Sequence, residues 1–245
     1  MIRTPSPTAR PSTAPSGVQS PDRGLAPARL WRFAGALALL HVVLFVAAAA
    51  ITGQPTVHEG QDGIEHSFNV GGLGRLMAAG YLLVLGFLCL VPFAVFIARN
   101  VGGRTEVARW AAQTAAAAAL IGVVIIVGAG FSAGAAAMWA EDRGQDLQTV
   151  LTVNNIRNFS YFLSLPFLGA FAMGTGIAAL VDGVLTRWIG WGGVAVGAAL
   201  VLAIPAAGVG IQYGMPLWLL WLLGVAISLL RHDPTGAATI SEPLR

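Results

Sequence analysis

Asn154, Arg157, Asn158, Tyr161 and Ser164 form the densest set of hydrogen-bonding side chains inside an apolar stretch of this 245-residue chain. Their spacing of 3, 1, 3 and 3 residues puts them on one face of a helix. A polar face entering a membrane is costly unless it meets water or other polar groups. The stripe is therefore expected to turn toward a bundle interior or an outward-open cavity, as a pocket for a polar ligand. Arg75 is expected at similar depth, with Glu65 or Asp146 as salt-bridge partners for the arginines. The blander alternative is interfacial anchoring, in which these side chains snorkel to the headgroups.

His41 lies ten residues past Trp31, about 15 Å along a helix. It is the one titratable side chain clearly within an apolar run apart from the stripe. An intramembrane ionisable group is a candidate proton site; a neutral histidine hydrogen-bonded to a neighbouring helix explains it as well. His58, His66 and His232 fall in loops or tail, which argues against a two-histidine haem protein, and no cofactor is expected. The segment from Val57 to His66 holds His58, Glu59, Asp62, Glu65 and His66. Imidazole and carboxylate ligands could hold a divalent cation there, but the spacing fits no standard site. Asp62 stands where the HExxH zinc pattern needs its second histidine. A solvated acidic loop is the alternative.

No catalytic residue emerges. The chain has no phosphate-binding loop, no G-x-S-x-G elbow and no HExxH. Asn158-Phe159-Ser160 fits a glycosylation sequon, but it opens an apolar helix. The single cysteine, Cys89, lies in an apolar run and reads as a small apolar side chain.

The elements that must position these residues are long apolar runs. The chain is 56% hydrophobic and only 10% charged, where a soluble domain carries about 25%. About 20 apolar residues in a helix cross a bilayer core. Six such runs are expected, at about 31–52, 72–98, 107–139, 155–181, 188–207 and 209–230. The fold class is thus all-α, a polytopic transmembrane helix bundle. Trp110 and Trp139 are 29 residues apart, or about 44 Å, which spans a bilayer with its headgroup zones. Pro92 and Pro166 fall inside runs and tend to kink them. Only Gly208, Gly210, Gly214 and Pro216 mark the break between the last two runs. The first run is long enough to be an uncleaved anchor, although Ala47–Ala50 imitates a signal cleavage site. Residues 1–30, rich in Pro, Ser, Thr and Arg, are expected to be a disordered tail. Residues 232–245 form a second short tail.

All 14 basic residues are arginine, which with the Ala, Gly, Val and Leu usage suggests a high-GC bacterial genome. With the N-terminus inside, eleven arginines lie on inner regions and only Arg75, Arg143 and Arg157 on outer ones. The positive-inside rule then puts both termini in the cytoplasm and loops 53–70 and 140–155 outside, in a bacterial cytoplasmic membrane. Arginines this scattered do not suggest nucleic acid; the expected partner is the lipid bilayer. Gly130-x-x-x-Gly134 and Gly193-x-x-x-Gly197 offer small-residue faces for helix packing or self-association as a homo-oligomer.

Two stretches carry a family likeness: Tyr81-Leu82-Leu83-Val84-Leu85-Gly86-Phe87-Leu88-Cys89-Leu90-Val91-Pro92-Phe93 and Leu185-Thr186-Arg187-Trp188-Ile189-Gly190-Trp191. Over roughly residues 31–231 the chain resembles the actinobacterial multi-pass proteins of domain-of-unknown-function family 4386. The resemblance implies a membrane-bound helical protein with no assigned activity and supplies no site residue. Two function classes follow from the residues. One is a small transporter, channel or transport accessory using the stripe and His41. The other is a non-catalytic scaffold or sensor acting through the outer loops or the N-terminal tail. An intramembrane enzyme has the least support, because no carboxylate pair or Cys/His pair lies within the runs.

Overall fold

Runs of Ala, Leu and Val with few breakers leave the backbone one way to satisfy its own polar groups in an apolar setting, the helix. The computed structural model describes residues 27–51, 61–203 and 211–231, with side chains described for 27–51, 74–202 and 214–231. Among these residues there are helices and no strands. They are α1 (Ala28–Ile51), α2 (Gln61–Asn100), α3 (Glu106–Val124), a π-helical segment (Ile125–Phe131), α4 (Ser132–Asp142), α5 (Leu147–Asp182), α6 (Arg187–Ala203) and α7 (Ile211–Arg231).

Among the described residues, five helices are long and apolar enough to cross a membrane: Ala28–Ile51, Gly74–Asn100, Glu106–Asp142, Leu147–Asp182 and Gly214–Arg231. The run expected at 188–207 gives the shorter apolar helix Arg187–Leu202. Residues 204–210, with Gly208 and Gly210, lie outside the described residues, as do most of the two tails.

Two expected loops shorten and one expected helix is irregular at its centre. The loop at 53–70 gives way to helix from Gln61, because a helix needs no apolar residues to begin and polarity hid its first turns. The loop at 140–155 shrinks to four residues, 143–146, and α5 starts at Leu147 rather than near 155. Asp146 is the cause: it N-caps α5, accepting from the backbone N–H of Thr149 at 3.0 Å and from its hydroxyl at 2.6 Å. The third run, expected as one regular helix, carries a seven-residue π segment at its centre. Gly128 and Gly130 lie within it and offer little resistance to the wider turn.

Helices adjacent in sequence pack together, and the last closes on the first. α1 lies between α2 and α7, α3 between α2 and α5, and α6 between α5 and α7. Inside this ring, Phe93 of α2, Phe171 of α5 and Trp221 of α7 stack edge to face at 5.9 and 6.3 Å. The Trp221 indole N–H donates to the carbonyl of Ile189 on α6 at 3.0 Å. At one end Trp31 packs edge-on against Phe96 at 5.0 Å.

Lipid tails are as apolar as leucine, so burial alone does not hold such helices together; close backbone approach and hydrogen bonds must. The α5–α6 seam supplies the first. A Cβ on Gly176 would lie 2.5 Å from the Gly190 carbonyl oxygen, and one on Gly197 2.5 Å from that of Gly169. Gly193 likewise faces the Ala172 carbonyl at 2.7 Å. The Gly193/Gly197 face is thus occupied by a helix of the same chain. The outward tryptophans Trp110, Trp139, Trp188 and Trp191 are all more than half exposed, the disposition expected of side chains at a membrane interface.

Candidate functional site: a polar seam on α5

The face of α5 that carries the stripe turns inward, as its spacing predicts. Asn154 is 2% exposed and Ser164 fully buried, while Arg157, Asn158 and Tyr161 are half-buried. Opposite them stand the π segment and α4. A Cβ on Gly134 would lie 3.0 Å from Arg157 Cδ, and one on Gly130 3.5 Å from Ser160 Cβ. The stem of Arg157 therefore lies across Gly134, in space a larger residue would fill. Gly134 precedes Trp139 by five residues, which sets the arginine about 7.5 Å deeper than that tryptophan.

The hydrogen bonds of the seam are partly internal. An Arg157 Nη2–H donates to Asn158 Oδ1 at 3.1 Å. The Ser160 hydroxyl donates back to the Ile156 carbonyl at 2.8 Å, and that of Ser164 to the Tyr161 carbonyl at 2.6 Å. Asn154 Oδ1 and Asn158 Nδ2 are buried without a hydrogen-bond partner. A buried polar atom left so is costly, about 1–3 kcal/mol. The seam thus holds a cation, an acceptor and a donor on one face, a set able to bind a small polar solute. Ser160, buried at 6% exposure, also belongs to the seam, three residues past Arg157 on the same helix face.

Other expected members lie elsewhere. Arg75 is exposed and its Nε–H donates to the Ile51 carbonyl at the end of α1, 2.7 Å away. A bridge between Arg157 and Asp146 does not form: eleven residues of one helix separate them, about 16 Å, and Asp146 commits its carboxylate to Thr149. Those bonds, the Thr149 hydroxyl first and its N–H second, hold the Asp146 carboxyl below its ordinary value. His58 and Glu59 lie outside the described residues; Asp62, Glu65 and His66 lie on the helical backbone of α2, with side chains outside the described set. Among the described residues no cluster of three or more His, Cys, Asp or Glu could hold a metal.

His41 is fully buried in the ring interior. Its Nδ1 is 2.7 Å from the Gly86 carbonyl oxygen of α2. A carbonyl can only accept, so Nδ1 carries the proton of that bond. The imidazole sits among Phe87, Trp218 and Phe45, with ring centroids 5.0, 5.2 and 6.2 Å away.

One polar cluster escaped the sequence reading. Asp182, 6% exposed at the end of α5, accepts from the backbone N–H of Arg104 at 2.8 Å and of Thr105 at 3.1 Å. It also accepts from the Thr105 hydroxyl at 2.8 Å. That same hydroxyl oxygen N-caps α3, accepting from the Ala108 N–H at 3.2 Å, and Arg104 Nη1 donates to the Asp182 carbonyl at 3.1 Å. The cluster clasps the start of α3 to the end of α5. Its signal was legible: Thr105 followed by Glu106 opens a helix and Asp182-Gly183 closes one, with Gly183 at φ 65° in the left-handed region.

Compared with family models, with curated proteins and with solved structures, the chain finds no match in any of the three.

Proposed function

We propose that this chain is a six-span protein of the bacterial cytoplasmic membrane, with both termini inside, and that it is a small transporter, channel or transport accessory. In this reading the seam on α5 is the place where a polar solute is held, on the outer side. The carrying observation is the pair of buried, unpartnered atoms Asn154 Oδ1 and Asn158 Nδ2, the second on the amide whose oxygen accepts from the Arg157 guanidinium. Two further facts support it. The side of the seam opposite the stripe is lined by Gly130 and Gly134, whose lack of side chains lets the Arg157 stem and Ser160 lie close against that helix. The helix bearing Gly130 is broken by a π segment, a feature common at functional sites. Six spans also require Arg187–Ala203 to cross; its 17 residues rise about 26 Å, near the lower limit for a span. The family 4386 resemblance belongs to this reading and adds no chemistry to it.

The experiment is thiol accessibility in intact cells. Single cysteines at Asn158, Tyr161 and Ser164, in a Cys89→Ala background, should react with a membrane-impermeant thiol reagent added outside. Reaction confined to positions 154 and 157 would mean polar anchoring at the interface, and the pocket reading falls. A reporter fused after Arg245 should be active only in the cytoplasm; external activity sinks the six-span count.

A further inference from the structure

Contacts between the helices bring one set of their ends together. Trp31 at the start of α1 packs on Phe96 near the end of α2. Gly35 lies against Leu230 at the end of α7. Asp182 ties the end of α5 to the start of α3, and Gly176 of α5 meets Gly190 near the start of α6. This end of the ring gathers seven exposed arginines. Arg29 and Arg32 come from α1 and Arg99 from α2. Arg104 and Arg109 come from the start of α3, Arg187 from α6 and Arg231 from α7. Among the described residues only two carboxylates share this end, Glu106 and Asp182. Asp182 is already engaged by the Arg104 and Thr105 N–H groups and the Thr105 hydroxyl.

The two ends use their arginines differently. At the opposite end Arg75 donates to the Ile51 carbonyl, and Arg143 lies over the Trp139 ring at 4.9 Å in a stretch with Glu141, Asp142 and Asp146. At the arginine-rich end Arg104 donates to the Asp182 carbonyl at 3.1 Å. The other six guanidinium groups have no hydrogen bond or ion pair with a described residue. Like charges gathered on one rim raise a positive potential that attracts anions. Exposed tryptophans set the depth of that rim. Trp110 follows Arg109 and Trp188 follows Arg187, and the two indoles are 68% and 58% exposed. Tryptophan prefers the headgroup level of a bilayer, which places the neighbouring guanidinium groups beside the lipid phosphates. Arginine meets a phosphate through two parallel N–H donors.

We propose that this rim is a docking surface for the headgroups of anionic glycerophospholipids. The phosphodiester oxygens accept from the guanidinium groups, and the acyl chains run down the exposed apolar faces of α3 and α6. A zwitterionic phospholipid carries a cation that cancels its phosphate, so net negative charge is what the rim selects. The proposal rests on the bundle spanning a bilayer. It rests neither on the α5 seam nor on which side of the membrane the termini lie.

The test is electron paramagnetic resonance of lipids spin-labelled on the acyl chain, with the full-length chain in phosphatidylcholine vesicles. The motionally restricted fraction reports lipid held at the protein surface. An arginine near the surface favours an anionic headgroup by about fivefold; averaged over both ends of the bundle, labelled phosphatidylglycerol should be restricted about two- to threefold more than labelled phosphatidylcholine. The preference should shrink in about 1 M salt, where charges are screened beyond about 3 Å. It should fall by about half or more in the triple variant Arg109→Gln, Arg187→Gln, Arg231→Gln, whose lost side chains tie no described residue in place. Arg143→Gln, at the opposite end, should keep it. Equal restriction of the two lipids by the wild type overturns the proposal and leaves an acidic protein segment as the occupant of the rim. A preference undiminished in the triple variant also overturns it, because the selectivity then lies elsewhere. A spectrum with no restricted component for either lipid overturns the membrane reading as well, whereas equal restriction leaves that reading standing.

Discussion

Changing Gly176 to alanine should destabilise the bundle by about 2 kcal/mol, and the structure says why. The added methyl would lie 2.5 Å from the Gly190 carbonyl oxygen, 3.0 Å from Val194 N and 3.2 Å from the Gly193 carbonyl carbon. Ordinary contact begins at 3.4 Å, so α6 must retreat by about 0.9 Å. All three obstructing atoms are backbone, and no flexible side-chain end can yield. A gap of 0.5–1 Å forfeits roughly a quarter to a half of each dispersion contact it opens. The retreat would open the whole seam, including the contacts of Gly169, Gly193 and Gly197. Overpacking costs about 1–3 kcal/mol; the upper end applies here, and the better helix propensity of alanine returns up to about 1 kcal/mol. Gly128→Ala is the matched control, because a Cβ there meets nothing within 4 Å; it should leave stability unchanged or raise it by up to about 1 kcal/mol. The assay is reversible unfolding in dodecylmaltoside micelles titrated with dodecyl sulfate and followed by helical circular dichroism. If Gly176→Ala unfolds at the same detergent fraction as Gly128→Ala, close glycine packing does not hold α5 to α6.

Two further outcomes are expected. Asp182→Asn keeps one acceptor oxygen for Thr105 but sets an amide NH2 against the Arg104 N–H, so it should cost about 1–2 kcal/mol in the same titration; Thr105→Ser should cost little, and equal losses for the two would refute the clasp. Because the folded Asp146 carboxyl titrates below 3.8, its cap is complete above that pH and is lost as pH falls through the lower folded value. Amide exchange at Thr149 should therefore accelerate only in strong acid, and Asp146→Asn, which still caps, should remove the pH dependence; protection of Thr149 that does not change with acid in the wild type refutes the cap.

Much of the bundle was legible because lipid imposes a single rule, a long apolar helix. That rule located α1, α2, the α3–α4 pair, α5 and α7, and the 3.6-residue period gave the inward face of α5 from Asn154 to Ser164. It failed where the determinants are not apolar. The start of α2 at Gln61 has no hydrophobic signature, and the start of α5 at Leu147 is set by one capping carboxylate. The π segment depends on how Ile125–Phe131 meets α5 and α2, including Phe131 against Gly80, and no residue type encodes that alone. Arg75 and Arg157 share a charge and an expected depth, but similar depth along two helices says nothing of which neighbour each guanidinium reaches. Asp182 is one acid among eleven in the sequence; its importance appears only when α3 and α5 are brought side by side.

The junction of α1 with α7 ties the protein to its own order of synthesis. Gly35 packs against the Ala226 carbonyl and Leu230, and His41 against Trp218, yet these partners emerge roughly 180–195 residues apart. At roughly 5–20 residues per second, α1 waits on the order of 10–40 s for the helix that covers it. During that interval an imidazole and a bare glycine face stand toward lipid or toward the insertion machinery. The first helix must be stable in the membrane without its final neighbour, which is reason enough for the apolar run from Ala34 to Ile51 to be interrupted by His41 alone.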